Sequence, residues 1–597
     1  MRKITLLMVG FILSTVYASA QWPVNTFNSI FTETKDIEKD AAGNIYVLAT
    51  FQYKTTFNSG LTIVAGGTMP STGFYVAKYD LTGNLIWAAN STTSSSIKME
   101  AVDMEVRNGE VFVLSELDPS LGTPPVSYTS STGASVATGY IPTAENYYVS
   151  VIDLAGNPML IEQVDMAGTG VTNVVFNTIQ PHNVAGSLEV FLGGSGQFSG
   201  PYDAYIGEFL PGVPYTTSGN QTVFTAGASA AVNTINDLEL VYSSAVGYDV
   251  LFSFGTMGAP NPIGTGLPPF SVISDCFITS FDPFGLGLNT PLASGVGAAD
   301  YYADGIAMDA IDNGSVMNTF ATGDFKDDLT AFALPSGGVT NAFMVSFDYD
   351  PVGLTFTPFW GYSADYTLSA LNEAHGKDVD ISDAGNEIHF GGDFDGDGFN
   401  TLPVYSPSGT QPASIGFSNG WQAGFDIGSA PIYSTSVENI NFASAFTLVG
   451  VCEEAGEVYS TGDYLDDMLF NPSTAAGYTP MTHPAPGALE NYVARYGGGA
   501  YFKTTERADV AIADGASQLN IYPNPANEKV QVTLNSSVDG TWNIKVYNML
   551  GAMVYASSDL ANDQDYITLD LDEMPSGVYL VRVEQDDFVS TQQLVVE

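Results

Sequence analysis

Positive charge is scarce in this chain. Only 16 lysines and arginines stand against 65 aspartates and glutamates in 597 residues, a net charge of −49. A surface of that sign repels phosphate, which argues against nucleic acid as a partner. It also lacks the basic excess that docks a protein on anionic lipid. Cysteine is scarce too. Cys276 and Cys452 are far apart, so no zinc-ligand spacing and no dense disulfide framework is available. Both sit in strand-like text and read as buried thiols. Charged residues of both signs make up 14%, against about a quarter in an ordinary soluble domain. No stretch of about 18 apolar residues follows the N-terminal segment, so no integral membrane segment is expected.

The chain is rich in glycine, with 62 residues, and 45% of it is hydrophobic and 12% aromatic. That mixture suits many short strands joined by tight turns, because glycine supplies the positive φ such turns need. The length exceeds what one ordinary core can serve, so several domains or one closed repeat are expected. Residues 1–20 form a separate address. Arg2 and Lys3 are followed by an apolar run from Ile4 to Tyr17, and Ala18-Ser19-Ala20 gives a small-residue cleavage box before Gln21. This is the layout of a signal peptide, with Ala18 and Ala20 at the cleavage site, and it implies export.

Residues 21–505 repeat. The text Asp40-Ala41-Ala42-Gly43-Asn44-Ile45-Tyr46-Val47 recurs around Gly385 and Gly456, with weaker copies around Gly109, Gly186, Gly247 and Gly314. The intervals between these glycines run from 61 to 77 residues. A second hairpin alternates with the first, clearest at Phe74-Tyr75-Val76-Ala77-Lys78-Tyr79-Asp80-Leu81-Thr82-Gly83-Asn84-Leu85-Ile86-Trp87. Two hairpins per unit make four strands. Seven such units predict a seven-bladed β-propeller of four-stranded blades, since one blade cannot bury both its faces. The units exceed the usual propeller repeat of about 40–50 residues. The surplus lies mostly between the two hairpins and reads as long loops on one face of the disc. Gln21-Trp22 stands where an outer strand would, so the mature N-terminus is expected to complete the last blade. Residues 36–87 most closely resemble bacterial β-propeller repeats.

Residues 506–517 lose the pattern and read as a linker. Residues 518–597 then spell six or seven short strands, a small immunoglobulin-like β-sandwich. Tyr522-Pro523-Asn524-Pro525, the Tyr547-Asn548 turn ending at Gly551, and Gly577-Val578-Tyr579 resemble the type A C-terminal sorting domain of type IX secretion cargo from Bacteroidota. The resemblance implies a tag read by the type IX secretion machinery, often removed on export. The product would be a secreted or cell-surface protein.

Chemistry is harder to find. Asp393, Asp395 and Asp397 in Asp393-Phe394-Asp395-Gly396-Asp397-Gly398 match the first three acidic positions of a calcium loop. The twelfth position is Val404, so the bidentate glutamate is missing. Calcium is the one cofactor suggested. The segment also recurs as Gly323-Asp324 and Gly462-Asp463, which makes it a repeat motif at a strand end. Gly416-Phe417-Ser418-Asn419-Gly420 matches a nucleophile elbow, but no helix text follows it. His182, His375, His389 and His483 show no ligand spacing. No catalytic residues and no organic cofactor site are assigned. The leading expectation is a non-enzymatic exported propeller that binds an extracellular glycan or surface protein. The alternatives are a secreted polysaccharide hydrolase or lyase and a structural surface component.

Overall fold

Every regular element among the described residues is a β-strand. The computed structural model describes residues 24–596 with interruptions, the longer ones at 66–70, 119–125, 138–146, 225–232, 258–274, 294–301, 335–339, 365–372, 396–403, 412–417, 440–445, 471–479, 482–489, 497–518, 535–540 and 562–566. The chain divides into two compact units, Met1–Pro472 with Tyr478–Phe502, and Ser473–Gly477 with Lys503–Glu597.

In the larger unit seven strands play the same part. They are Thr32–Lys39, Met99–Arg107, Thr172–Val184, Thr234–Ser243, Ala303–Asp312, Glu373–Ile381 and Phe446–Glu454. Each opens a run of antiparallel strands and lies against the next, and Phe446–Glu454 returns to Thr32–Lys39; the runs behind Met99–Arg107 and Thr172–Val184 are joined at their outer edges by a parallel pairing of Pro158–Asp165 with Tyr215–Phe224. The seven inner strands therefore close a ring, a propeller-like arrangement. The second strand of each sheet is buried at nearly every position, as in Ile45–Gln52, because neighbouring sheets cover both its faces. Tyr46, Leu48, Phe74 and Val76 of the first sheet share one core with Met104, Val111 and Val113 of the second. The ring is locked by the start of the chain. Val24–Phe27 pairs with Glu490–Tyr496, setting Val24 opposite Val493, so the two ends hold one another.

The surplus residues between hairpins depart from the expected loops on one face. In four sheets they form a small hairpin that extends the outer edge of the preceding sheet. Val126–Ser130 pairs with Leu85–Thr93, Val404 with Ala364, and Met468–Phe470 with the end of Pro431–Asn439. Lys54–Phe57 pairs with Val24–Phe27. Covering an outer strand removes an edge that could otherwise template aggregation, and it ties each sheet to its neighbour.

The repeat motif has a local physical reason. Gly43, Gly109, Gly247, Gly314 and Gly385 have φ of 66–85°, which only glycine adopts freely; Gly186 and Gly456 lie outside the described residues. Asp40 Oδ1 accepts from the amides of Ala42 and Asn44. Its Oδ2 accepts from Tyr46 Oη at 2.8 Å and Lys78 Nζ at 3.0 Å. Lys78 also reaches the Leu154 carbonyl of the next sheet. Trp87 packs edge-on to Tyr46 and donates to the same carbonyl. A Cβ at Gly156 would lie 2.6 Å from the Trp87 ring. The recurrent Asp, Gly, Tyr, Lys and Trp are thus a junction between sheets. Burial disfavours the Asp40 carboxylate, but its hydrogen bonds with Asn44, Lys78 and Tyr46 outweigh that and hold its pKa down at about 2. Replacing Lys78 by Met will strand this buried carboxylate and cost about 3 kcal/mol of stability, as expected for breaking a buried pair. Denaturant melts of both proteins will show it, and an unchanged midpoint would refute the reading.

The smaller unit is built from two antiparallel sheets. Leu519–Tyr522, Lys529–Leu534 and Ile567–Asp570 make one; Met553–Ala561, Thr541–Asn548, Gly577–Gln585 and Phe588–Val596 make the other. Val530, Val532, Ile544, Val546, Leu569, Val581 and Leu594 form its core.

Candidate functional site

The ring of inner strands surrounds a cavity of about 280 Å³. One local device shapes it. Every inner strand carries a β-bulge at the same level, between Thr34 and Asp36, Ala101 and Asp103, Phe176 and Thr178, Ile235 and Asp237, Gly305 and Ala307, Gly376 and Asp378, and Leu448 and Gly450. A bulge inserts one residue and re-aims its neighbours. The inserted Lys35, Val102, Asn177, Asn236, Ile306, Lys377 and Val449 all line the cavity.

Just past the bulges comes an acid–apolar–acid pattern. Asp36 and Glu38, Asp103 and Glu105, Asp237 and Glu239, and Asp378 and Asp380 supply pairs, and Asp309 adds a single carboxylate. Among the described lining residues nine carboxylates meet two lysines. The aspartates are committed to the fold. Asp36 accepts the amide of Met104, Asp103 that of Ile179, Asp237 that of Met308, Asp309 that of Ile381, Asp378 that of Val451 and Asp380 that of Glu453, at 2.6–3.1 Å. Each bond runs from one inner strand to the next, so the aspartates pin the ring together. The glutamates differ. Glu105 and Glu239 each lie 3.9 Å from Arg107, too far for a direct hydrogen bond.

Crowding carboxylates in a recess favours their neutral form. Burial, then repulsion from Glu105 and Asp36, pushes Glu38 well up. Glu105 rises to about 7, chiefly by burial and against the pull of Arg107. Burial and Asp380 raise Asp309 to about 7, and burial raises Asp103 to about 6 against its hydrogen bonds. The cavity can therefore hold protons near neutrality and attract groups that are cationic or rich in donors.

Asp393, singled out from sequence, is not among the residues that line this cavity. Asp393 sits near the end of Glu387–Asp395, with Lys377 3.9 Å away; the side chain of Asp395, and Asp397 entirely, lie outside the described residues. The matching acids of neighbouring sheets act as staples. Asp463 accepts from the Thr34 amide and hydroxyl, and Asp324 pairs with His375 and the Gly376 amide. Ser418 opens a strand, so the serine motif has no elbow geometry. His389 is buried, and desolvation keeps it neutral, with a pKa lowered to about 3. Both cysteines are buried. The inner-strand acids were missed, although an acid–apolar–acid triplet stands shortly before four of the turn glycines. Ala18, Ala20, Pro523, Asn524, Pro525 and Gly551 lie outside the described residues. Tyr522 ends a strand, Gly577 begins one, and buried Tyr579 donates its hydroxyl to the Pro575 carbonyl at 2.6 Å.

Residues 520–597 match the secretion system C-terminal sorting domain. This is the tail of a type IX secretion cargo. The cargo is therefore secreted or cell-surface, and the secretion machinery is a partner. No curated protein matches the cargo. The chain is loosely similar to solved structures. One is a GH32 β-fructofuranosidase from Bombyx mori, 8% identical, covering 80% of this chain and 93% of that one, with a TM-score of 0.26. Another is a glycoside hydrolase of family 32 from Bifidobacterium adolescentis, 9% identical, covering 96% and 81%, also at 0.26. A third is dimeric latent PorU from Porphyromonas gingivalis, 10% identical, covering 72% and 34%, at 0.12. At these scores none bears on the cargo's chemistry. No helix among the described residues is long and apolar enough to cross a membrane.

Proposed function

We propose that the cargo's passenger is a seven-bladed β-propeller, followed by an immunoglobulin-like tail, and that it binds an extracellular ligand without turning it over. The acid-ringed cavity carries this reading. It offers carboxylates to a glycan's hydroxyl or amino groups, or to a basic side chain of a surface protein. The aspartates are spent on the ring itself, which leaves Glu38, Glu105 and Glu239 as the groups that meet a ligand. Glutamine at all three will keep the shape and remove the charge, so retention on a glycan array, or on cells of the producing organism, will fall to background. Unchanged binding by that triple variant would end this reading.

One observation favours a second reading, a polysaccharide hydrolase. A carboxyl near pH 7, such as Glu105 at about 7, is suited to general-acid work. Release of reducing sugar by the purified passenger, abolished by Glu105→Gln, would establish it in place of the first.

A further inference from the structure

We propose that His182, Glu189 and Glu208 bind one divalent transition-metal ion, of the zinc class, at the end of the third sheet. These residues belong neither to the acidic cavity nor to the Asp393 motif. The backbone brings them together. His182 on Thr172–Val184 stands directly opposite Glu189 on Ser187–Gln197. Glu208 on Asp203–Leu210 stands opposite Phe191 of the same middle strand. Side chains two apart on a strand share a face, so His182, Glu189, Phe191 and Glu208 project from one side of the sheet. One donor atom from each of the histidine and the two glutamates lies within 4.8 Å of the others.

The imidazole is held as a ligand would be. His182 is 3% exposed. Its ring stacks on Phe191 at 5.6 Å and leans on Phe284 at 5.9 Å. Nε2 lies 3.5 Å from an Asp249 carboxylate oxygen on the next sheet. Nδ1 is buried and has no hydrogen-bond partner. A buried polar atom left this way is costly, and native proteins rarely tolerate it without a purpose. With Nε2–H directed at a carboxylate, the neutral ring presents a lone pair on Nδ1, which is the outer support that metal-bound histidines use. Glu208 is positioned independently, accepting from Ser218 at 2.5 Å and Asn220 at 2.6 Å.

One nitrogen and two carboxylate oxygens suit zinc and its first-row neighbours, whereas calcium wants oxygen alone. Zinc lies about 2.0–2.2 Å from such donors, so side-chain rotation on the order of 1 Å closes the site around it.

The test uses the mature chain, stripped with chelator and titrated with Zn²⁺ by calorimetry in excess Mg²⁺ and Ca²⁺, which occupy the acidic surface. One equivalent is expected to bind tightly, and Co²⁺ in its place will give visible absorption bands. Glu189→Gln with Glu208→Gln will abolish that equivalent while circular dichroism stays unchanged. His182→Ala will remove the cobalt bands, and Asp249→Asn, which only orients the ring, will weaken binding by about tenfold. The proposal fails if no equivalent binds above the competing ions, or if the double glutamine variant, folded by the same spectra, binds as the parent does.

Discussion

A chain cut after residue 517 will no longer reach the medium or the cell surface. The segment removed is the one that matches the sorting domain, and the passenger forms a compact unit of its own, so a folded passenger will remain behind in the periplasm. Immunoblots of medium, surface and periplasmic fractions will read this directly. Normal amounts outside the cell would overturn the assignment of the tail. A gentler change tests whether the tail is read as a folded object. Tyr579 is buried and its hydroxyl caps the Pro575 carbonyl. Truncation of a buried aromatic to alanine costs about 3–5 kcal/mol, a large share of the 5–15 kcal/mol that holds an ordinary domain together. Tyr579→Ala should therefore reproduce most of the deletion.

The passenger will be more stable at pH 5 than at pH 8. Asp103 at about 6, Glu105 at about 7, Asp309 at about 7 and Asp463 at about 8 all lie above their ordinary values, burial being the largest cause in each. In the window between those ordinary values and the raised ones the folded chain keeps protons that the unfolded chain has released. Stability then falls as pH rises. The contribution is fully present below about pH 4 and gone by about pH 8. Each independent group supplies up to about 1.4 kcal/mol per pH unit inside its window, and coupling among neighbours reduces the sum. A loss of roughly 5–10 °C in Tm from pH 5 to pH 8 is expected. Scans in 0.5 M salt, where the Debye length is only on the order of 4 Å, remove most of the general repulsion among surface acids. Glu105→Gln will flatten the slope. A Tm that rises with pH, or a slope unaffected by that change, would contradict the assignment of buried protons to the ring.

Much of the fold was legible because its rules are local. The turn at Gly43 needs a positive φ, Asp40 must cap it, and Tyr46 and Lys78 must meet that carboxylate, so the same letters return wherever the junction returns. The hairpins of the tail were legible for the same reason. Other features were hidden because they depend on partners distant in sequence. Nothing near Val126 says that it will pair with Thr93 and cover the edge of the preceding sheet. Nothing near Asp463 says that it will hold Thr34, 429 residues away. Asp393 stood out because three acids lay close together, yet nothing near the matching Asp324 says that it will hold His375 and Gly376 of the following sheet.

The sequence by itself determined the repeating strands, the glycine turns and the sorting tail, since each is written within a few residues. Only the tertiary structure decided where the chemistry gathers. Closing the ring brings the acid triplets of four strands and Asp309 of a fifth around one cavity, and packing the third sheet against the fourth buries His182 with a bare nitrogen. Both outcomes depend on which surfaces lose water together, and no short stretch of chain carries that information.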